Sequence, residues 1–208
     1  MTQESVVLLH GFLSHRVTMW RLAQAFEREG YRVLNLGFPS RRESVEALAE
    51  HLLPKLKIRL EGTSGPVHFI GHSLGGRVAL ALAERPELAP RAGRIVTLGT
   101  PYGGQKAAGF FASNARVKNW MGDAGAALAQ AMPEHGLPPG AELGVINGQL
   151  PWSGLWPSGP TDGVVPLATA VPAQLPHTRI TLPVGHMVMP LSDEVIGAAS
   201  RFVRDGRF

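Results

Sequence analysis

The sequence predicts an α/β fold of about six mostly parallel strands with helices on both faces. Three observations predict it. Short apolar, β-branched runs recur along the chain and end at glycine or proline. Segments with apolar residues at helical spacing lie between them. Alternation of the two, outside residues 102–161, calls for right-handed crossovers, hence a parallel sheet covered on both sides.

The elements follow in order. Val6–Leu9 is a continuous apolar run ending at His10-Gly11, as expected of a strand buried on both faces. Met19, Leu22, Ala23 and Phe26 then share a helical face, and Gly30 is a stop signal. Tyr31–Leu36 is the second strand, broken by Gly37 and Pro39. Ser44 is positioned to cap a second helix carrying Val45, Leu48, Ala49, Leu52 and Leu53, which Pro54 is expected to kink or end. Val67–Ile70 is the third strand, with a helix over Leu74–Glu84 directly behind it. Arg94–Leu98, Ala141–Asn147 and Arg179–Pro183 read as the fourth, fifth and sixth strands, the fifth being the weakest. The last helix has Ser192 as its expected cap, Asp193 and Glu194 in its first turn, and Arg201 and Arg204 ahead of Gly206.

A chain of 208 residues fits one domain over 1–208. Residues 102–161 are rich in glycine, proline and alanine and hold three of the four tryptophans; a lid or insertion is expected there. The chain has no cysteine, which excludes disulfides, thiol catalysis and cysteine-held metals. The net charge of +4 raises the question of nucleic acid, but the basic residues are scattered and not interleaved with aromatics. No nucleic-acid partner is expected. No run approaches the roughly 20 apolar residues of a transmembrane helix, and the N-terminus lacks a basic, apolar leader, so a cytoplasmic location is expected. Oligomeric state is not readable.

The chemistry centres on Gly71-His72-Ser73-Leu74-Gly75. Gly-x-Ser-x-Gly is a modest signal alone, since a glycine-rich turn with serine as a helix cap would look the same. Its placement between a strand and a helix is what a strained nucleophile turn demands. Gly71 and Gly75 would remove side chains that clash around Ser73, and Gly76 would bring the helix close to the sheet. No lysine follows the glycines and Gly-x-Gly-x-x-Gly is absent, so nucleotide loops compete poorly.

A serine hydroxyl needs a base to take its proton. His186 follows the sixth strand in Val184-Gly185-His186, whereas His135 lies in the insertion and His177 at the wrong end of that strand. Between Ser73 and His186 the only aspartates are Asp123 and Asp162. Asp162, in Asp162-Gly163-Val164-Val165, is the favoured partner for the imidazole, although Asp-Gly is also a common turn pair. Asp123 and Glu142 stay open as alternatives. The backbone N–H groups of Leu74 and Phe12 are the candidate oxyanion donors. His10 is expected to order the Phe12 loop rather than to do chemistry. The tryptophans are expected to pack the core or lid, with an acyl-pocket role as the alternative.

Across Leu9-His10-Gly11-Phe12, Gly71–Gly76, Gly99-Thr100-Pro101, Asp162–Val165 and Val184–His186, the chain resembles the α/β-hydrolase superfamily, specifically its compact bacterial lipase and esterase-like members. The resemblance implies a minimal form of that fold, because the His-Gly loop comes so early that the first two strands of the full-size fold are missing. It implies hydrolysis of a small-molecule or lipid ester through an acyl-enzyme, with no cofactor and no metal. Thioesterase or acyltransferase chemistry with the same residues is the alternative, and a non-catalytic scaffold on the same fold is a third reading.

Overall fold

The structure, a computed structural model, describes residues 3–41, 43–103, 136–155 and 159–208. Its strands are β1 (Ser5–Leu9), β2 (Arg32–Leu36), β3 (Val67–His72), β4 (Ala92–Leu98), β5 (Glu142–Gly148) and β6 (Thr178–Leu182). They form one sheet in the order β2-β1-β3-β4-β5-β6, and every neighbouring pair is parallel. The chain winds outward from β1 to β2, then returns past β1 to β3 and continues in the other direction. Strand order thus reverses between β1 and β3, where open α/β sheets open a crevice at the strands' carboxyl ends.

Alternation along each strand feeds two cores. Val7, Leu9 and Phe69 face α2 (Val45–Leu60) and α3 (Leu74–Ala83). Val6, Leu8, Ile70, Val96 and Leu98 face α1 (Trp20–Arg28) and α4 (Asp193–Asp205). Side chains of successive strand residues point to opposite faces, so an apolar run such as Val6–Leu9 can only be buried twice over. Each leucine or phenylalanine so enclosed contributes about 1.5–3 kcal/mol.

The helix ends mix agreement with correction. Ser44 caps α2, its Oγ accepting from Ala47 N–H at 3.2 Å. Pro54 does not end that helix, which runs on to Leu60. Pro54 is exposed, opposite the buried row Leu48, Leu52, Leu56 and Leu60. The carbonyl freed by its missing N–H belongs to Glu50, also exposed, so water can satisfy it. Ser192 holds the cap position of α4 without a side-chain capping bond. Asp193, in the first turn, pairs with Arg21 of α1 at 2.7 Å. Gly206 ends α4 at φ 74°, and its N–H donates to the Phe202 carbonyl.

Within 102–161, Glu142–Gly148 is an interior sheet strand, paired with β4 and β6. The expectation of a lid otherwise falls mainly on 104–135, outside the described residues, as does Trp120. Trp156 is outside them too. The two described tryptophans are not core residues: Trp20 is 47% and Trp152 82% exposed.

Candidate active site

β3 carries Gly71 and His72 to the carboxyl edge of the sheet, and the chain turns at Ser73 into α3. Ser73 has φ 54° and ψ −118°, a strained conformation for a residue with a side chain. Backbone bonds hold it there. Its N–H donates to the Leu98 carbonyl at 2.9 Å. Its own carbonyl accepts from Gly76 N–H at 3.1 Å and from the Thr100 hydroxyl at 3.0 Å. The hydroxyl makes no capping bond to α3. A Cβ on Gly71 would collide with the Gly75 carbonyl, and one on Gly75 with the Leu9 carbonyl. The turn therefore fits only with both glycines, which sets α3 against β3 and the end of β1.

The loop after β1 meets the same point. A Cβ on Gly11 would stand 3.3 Å from Ser73 Cβ. His10 orders this loop as expected: its Nδ1 donates to the Gly11 carbonyl at 2.9 Å, and its Nε2 accepts from Phe38 N–H at 3.3 Å. Its ring stacks on Phe38 with centroids 4.1 Å apart. Burial holds its pKa below the usual histidine value, in keeping with a neutral ring. Next in the chain come Phe12 and Leu13, the latter at φ 51°. Among the described residues, turn and loop bonds use neither the Phe12 nor the Leu74 N–H. Leu74 begins α3, whose aligned amides place a partial positive charge at that end.

Asp162 and His186 meet across the loops that follow β5 and β6. His186 Nδ1 donates to Asp162 Oδ2 at 2.6 Å, and both side chains are buried, at 4% and 2% exposure. Asp162 Oδ1 accepts from Val164 N–H at 2.9 Å and Val165 N–H at 2.7 Å. His186 N–H donates to the Asp162 carbonyl at 2.9 Å. A carboxylate can only accept, so this geometry puts a ring proton on Nδ1; in the neutral ring the lone pair is then on Nε2. The Asp162-Gly163 turn and the acidic partner are one structure, because the amides that close the turn also hold the carboxylate.

A model of the alpha/beta hydrolase family matches residues 6–205. The chain belongs to that family. No curated protein matches it in sequence. Among solved structures, the mature lipase BlEst2 of Bacillus licheniformis aligns at TM-score 0.77 and 17% identity, over 100% of this chain and 93% of that one. The type II thioesterase BorB of the borrelidin biosynthetic cluster aligns at 0.63 and 19%, over 98% and 92%. A pyrethroid hydrolase from Sphingobium faniae aligns at 0.64 and 15%, over 99% and 98%. At these identities the likeness is one of fold.

Within this α/β-hydrolase fold, one of the two alternatives for the acid, Glu142, stands away from His186. Glu142 sits at the start of β5, at the opposite sheet edge, where its Oε2 accepts from Arg94 Nε at 2.6 Å. Asp123 and His135 lie outside the described residues. His177 precedes β6, with Nδ1 on the Leu175 carbonyl at 2.8 Å.

Sequence reasoning quoted His72, Gly99 and Thr100 within motifs but assigned them no part in the site, and it passed over Arg77. His72 donates from Nε2 to the His186 carbonyl at 3.0 Å, and its ring lies 4.8 Å from that of His186. Burial, then the nearby His186, pushes its pKa down to about 3. Gly99, at φ 56°, backs directly onto the pair; a Cβ there would lie 3.0 Å from both Asp162 Oδ2 and His186 Nδ1. Arg77, buried within α3, donates from Nε to the Pro101 carbonyl at 2.6 Å and so ties down the loop that carries Thr100. Arg77 was the legible one, a lone charge in an otherwise apolar helix. Thr100 and His72 carried no periodic or charge signal.

Proposed function

We propose that this protein is a serine hydrolase that cleaves carboxylic esters through an acyl-enzyme. The buried 2.6 Å Asp162–His186 pair carries the reading, because it sits at the same sheet edge as a strained, uncapped serine. Ser73 Oγ attacks the ester carbonyl while its proton passes to His186 Nε2. Asp162 keeps His186 in the Nδ1–H tautomer and stabilises the imidazolium. The Phe12 and Leu74 N–H groups hold the oxyanion, each such donor contributing roughly 10²–10³ in rate. The imidazolium then protonates the departing alcohol. Water, deprotonated by the same nitrogen, releases the acid and restores Ser73.

The lipase and pyrethroid hydrolase among the structural neighbours support an ester as substrate, and the type II thioesterase BorB supports a thioester as the second reading. Thioester cleavage uses the same residues and differs in the leaving group. Labelling with a fluorophosphonate probe tests the shared core. The wild-type chain is expected to label and a Ser73→Ala chain to stay unlabelled. A chain that labels equally without Ser73 would remove the nucleophile from this reading. Turnover of p-nitrophenyl esters against acyl-CoA substrates of equal acyl length then separates ester from thioester.

A further inference from the structure

An open cavity of about 600 Å³ lies beside this site, at the carboxyl end of the edge strand β2. Its floor is the Leu36–Pro39 turn, and its walls come from the loop after β1 and the exposed side of α2. Five of its lining residues carry basic groups: His15, Arg16, His51, Lys55 and Arg59. Among the described residues, no aspartate or glutamate lines it.

The basic groups are not neutralised by their neighbours. Among the described residues, Arg16, Lys55 and Arg59 have no carboxylate partner. The single carboxylate contact in the group is weak, Glu43 Oε1 at 4.0 Å from His51 Nδ1. Lys55 Nζ donates to His51 Nε2 at 2.7 Å, which aligns two basic side chains one helical turn apart. Arg16 is held in place from its backbone, its carbonyl accepting from Asn35 Nδ2 at 3.0 Å, while its Cδ would lie 3.7 Å from a Cβ on Gly37. His15 Nδ1 accepts from Val17 N–H at 3.4 Å, leaving Nε2 as the ring's donor. Arg16, Lys55 and Arg59 carry like charges gathered without counter-charges, and the two histidines are neutral donors or acceptors beside them; an anion that enters relieves the repulsion among the three cations.

The cavity is also coupled to the reacting end of the sheet. Phe38 and His15, which line it, both stack against His10, at 4.1 and 6.3 Å between centroids. Gly11, the next residue, approaches Ser73 Cβ. One loop therefore borders both the serine and the basic cavity. A volume of this size exceeds that of a bare inorganic anion and falls within the range of small-molecule sites.

The geometry points to this cavity as a subsite for an organic phosphate carried on the alcohol or thiol half of the substrate. Guanidinium groups pair with phosphate oxygens in a fixed fork, while Lys55 adds a mobile point charge. Phe38 and Pro39 offer an apolar floor to the organic part. Membership in a substrate site rests on the acyl-transfer reading of Ser73; phosphate binding as such does not.

The test measures binding first, by titration calorimetry on the full chain at low salt, with adenosine 3′,5′-bisphosphate and glycerol 3-phosphate as probes. Lys55 and Arg59 are both exposed on α2, so Lys55→Gln/Arg59→Gln should fold normally, which an unchanged melting temperature checks. At least one probe should bind, and the double variant should raise its Kd about tenfold or more. Arg201→Gln, an equal kind of charge loss on α4, should leave Kd within twofold. Preference for the nucleotide points to a coenzyme thioester, and preference for glycerol phosphate to a phospholipid headgroup. Absence of binding by both, or equal weakening by Arg201→Gln, overturns the subsite.

Turnover supplies the second arm. The ratio of kcat/KM for hexanoyl-CoA or dihexanoyl phosphatidate to that for p-nitrophenyl hexanoate should fall about tenfold in the double variant. Phosphate binding with an unchanged ratio overturns the link to substrate. A chain that binds phosphate but fails to label at Ser73 instead sinks the hydrolase reading and leaves the anion site standing.

Discussion

His68 and His72 stand four residues apart on β3, both nearly buried, and the two ends of the sheet treat them in opposite ways. At the amino end, His68 is fully engaged: Nε2 meets Glu4 Oε2 at 3.0 Å, and Nδ1 accepts from Arg94 N–H at 2.9 Å. Burial lowers its pKa, but the Glu4 carboxylate opposes the shift. At the carboxyl end, His72 has no counter-charge. Nε2 bonds the His186 carbonyl, while Nδ1 has no hydrogen-bond partner among the described residues. The amino end distributes its charges into partly exposed pairs such as Arg94–Glu142. The carboxyl end concentrates a positive-φ serine, a neutral buried histidine and a fully enclosed acid–base pair. One end pairs its charged groups, while the other gathers strain and an unpartnered polar atom at some cost in stability.

That contrast can be broken most decisively at Asp162. Asp162→Asn keeps the shape but forces the wrong tautomer on His186, so kcat for a p-nitrophenyl ester should fall roughly 10³–10⁴-fold with little change in KM. A loss under tenfold would return Asp162 to the role of a turn residue. Gly99→Ala comes next. It places a methyl against both members of the pair in a backbone conformation that side chains resist, a cost of about 1–3 kcal/mol. Urea denaturation should register the loss, and kcat should drop at least tenfold because the pair must move.

The histidine comparison itself is read through pH. His72 is neutral in the folded protein down to about pH 3, whereas in the unfolded chain it protonates near its usual 6.5. The unfolded state therefore binds the extra proton as pH falls from 6.5 toward 3, and folding stability declines across that window. Between pH 7.5 and 5 this one group should cost about 2 kcal/mol. His72→Gln should flatten the decline by that amount in urea titrations at the two pH values, and His68→Gln by less, since Glu4 retains its proton affinity. Equal flattening by both would erase the distinction between the ends. The smallest effect belongs to Glu142→Gln, which weakens a partly exposed ion pair and should cost under about 1 kcal/mol. Ester turnover should not change, and a fall in turnover would put the catalytic acid at the wrong end of the sheet.

Much of this was legible beforehand because it is written in local patterns. All six strands lie within two residues of where the sequence pattern places them; β1 and β3 are buried along their whole length, which calls for apolar runs, whereas the edge strands β2 and β6 stay partly exposed. Ser73, Asp162 and His186 could be singled out as candidates because each stands directly behind a strand or in a marked turn. Pro54 misled because a helix interrupted on its wet side loses a bond that water replaces. Ser192 holds the cap position that the sequence indicates, but its hydroxyl makes no capping bond. Trp20 and Trp152 misled because hydrophobicity alone does not state which side of an element faces solvent.

The sequence by itself determined the strand and helix alternation, the glycines of the turn at Ser73, and the acid–base candidates. These depend on residue type and near neighbours, where periodicity and backbone sterics act. Only the tertiary structure decided that Asp162 rather than Glu142 meets His186, that His72 is stranded while His68 is paired, and that five basic side chains from two elements share a cavity beside the first loop. Those outcomes depend on which strand ends become neighbours. Strand order is set by crossovers and by packing on both faces of the sheet at once, and no local stretch of the chain contains that information.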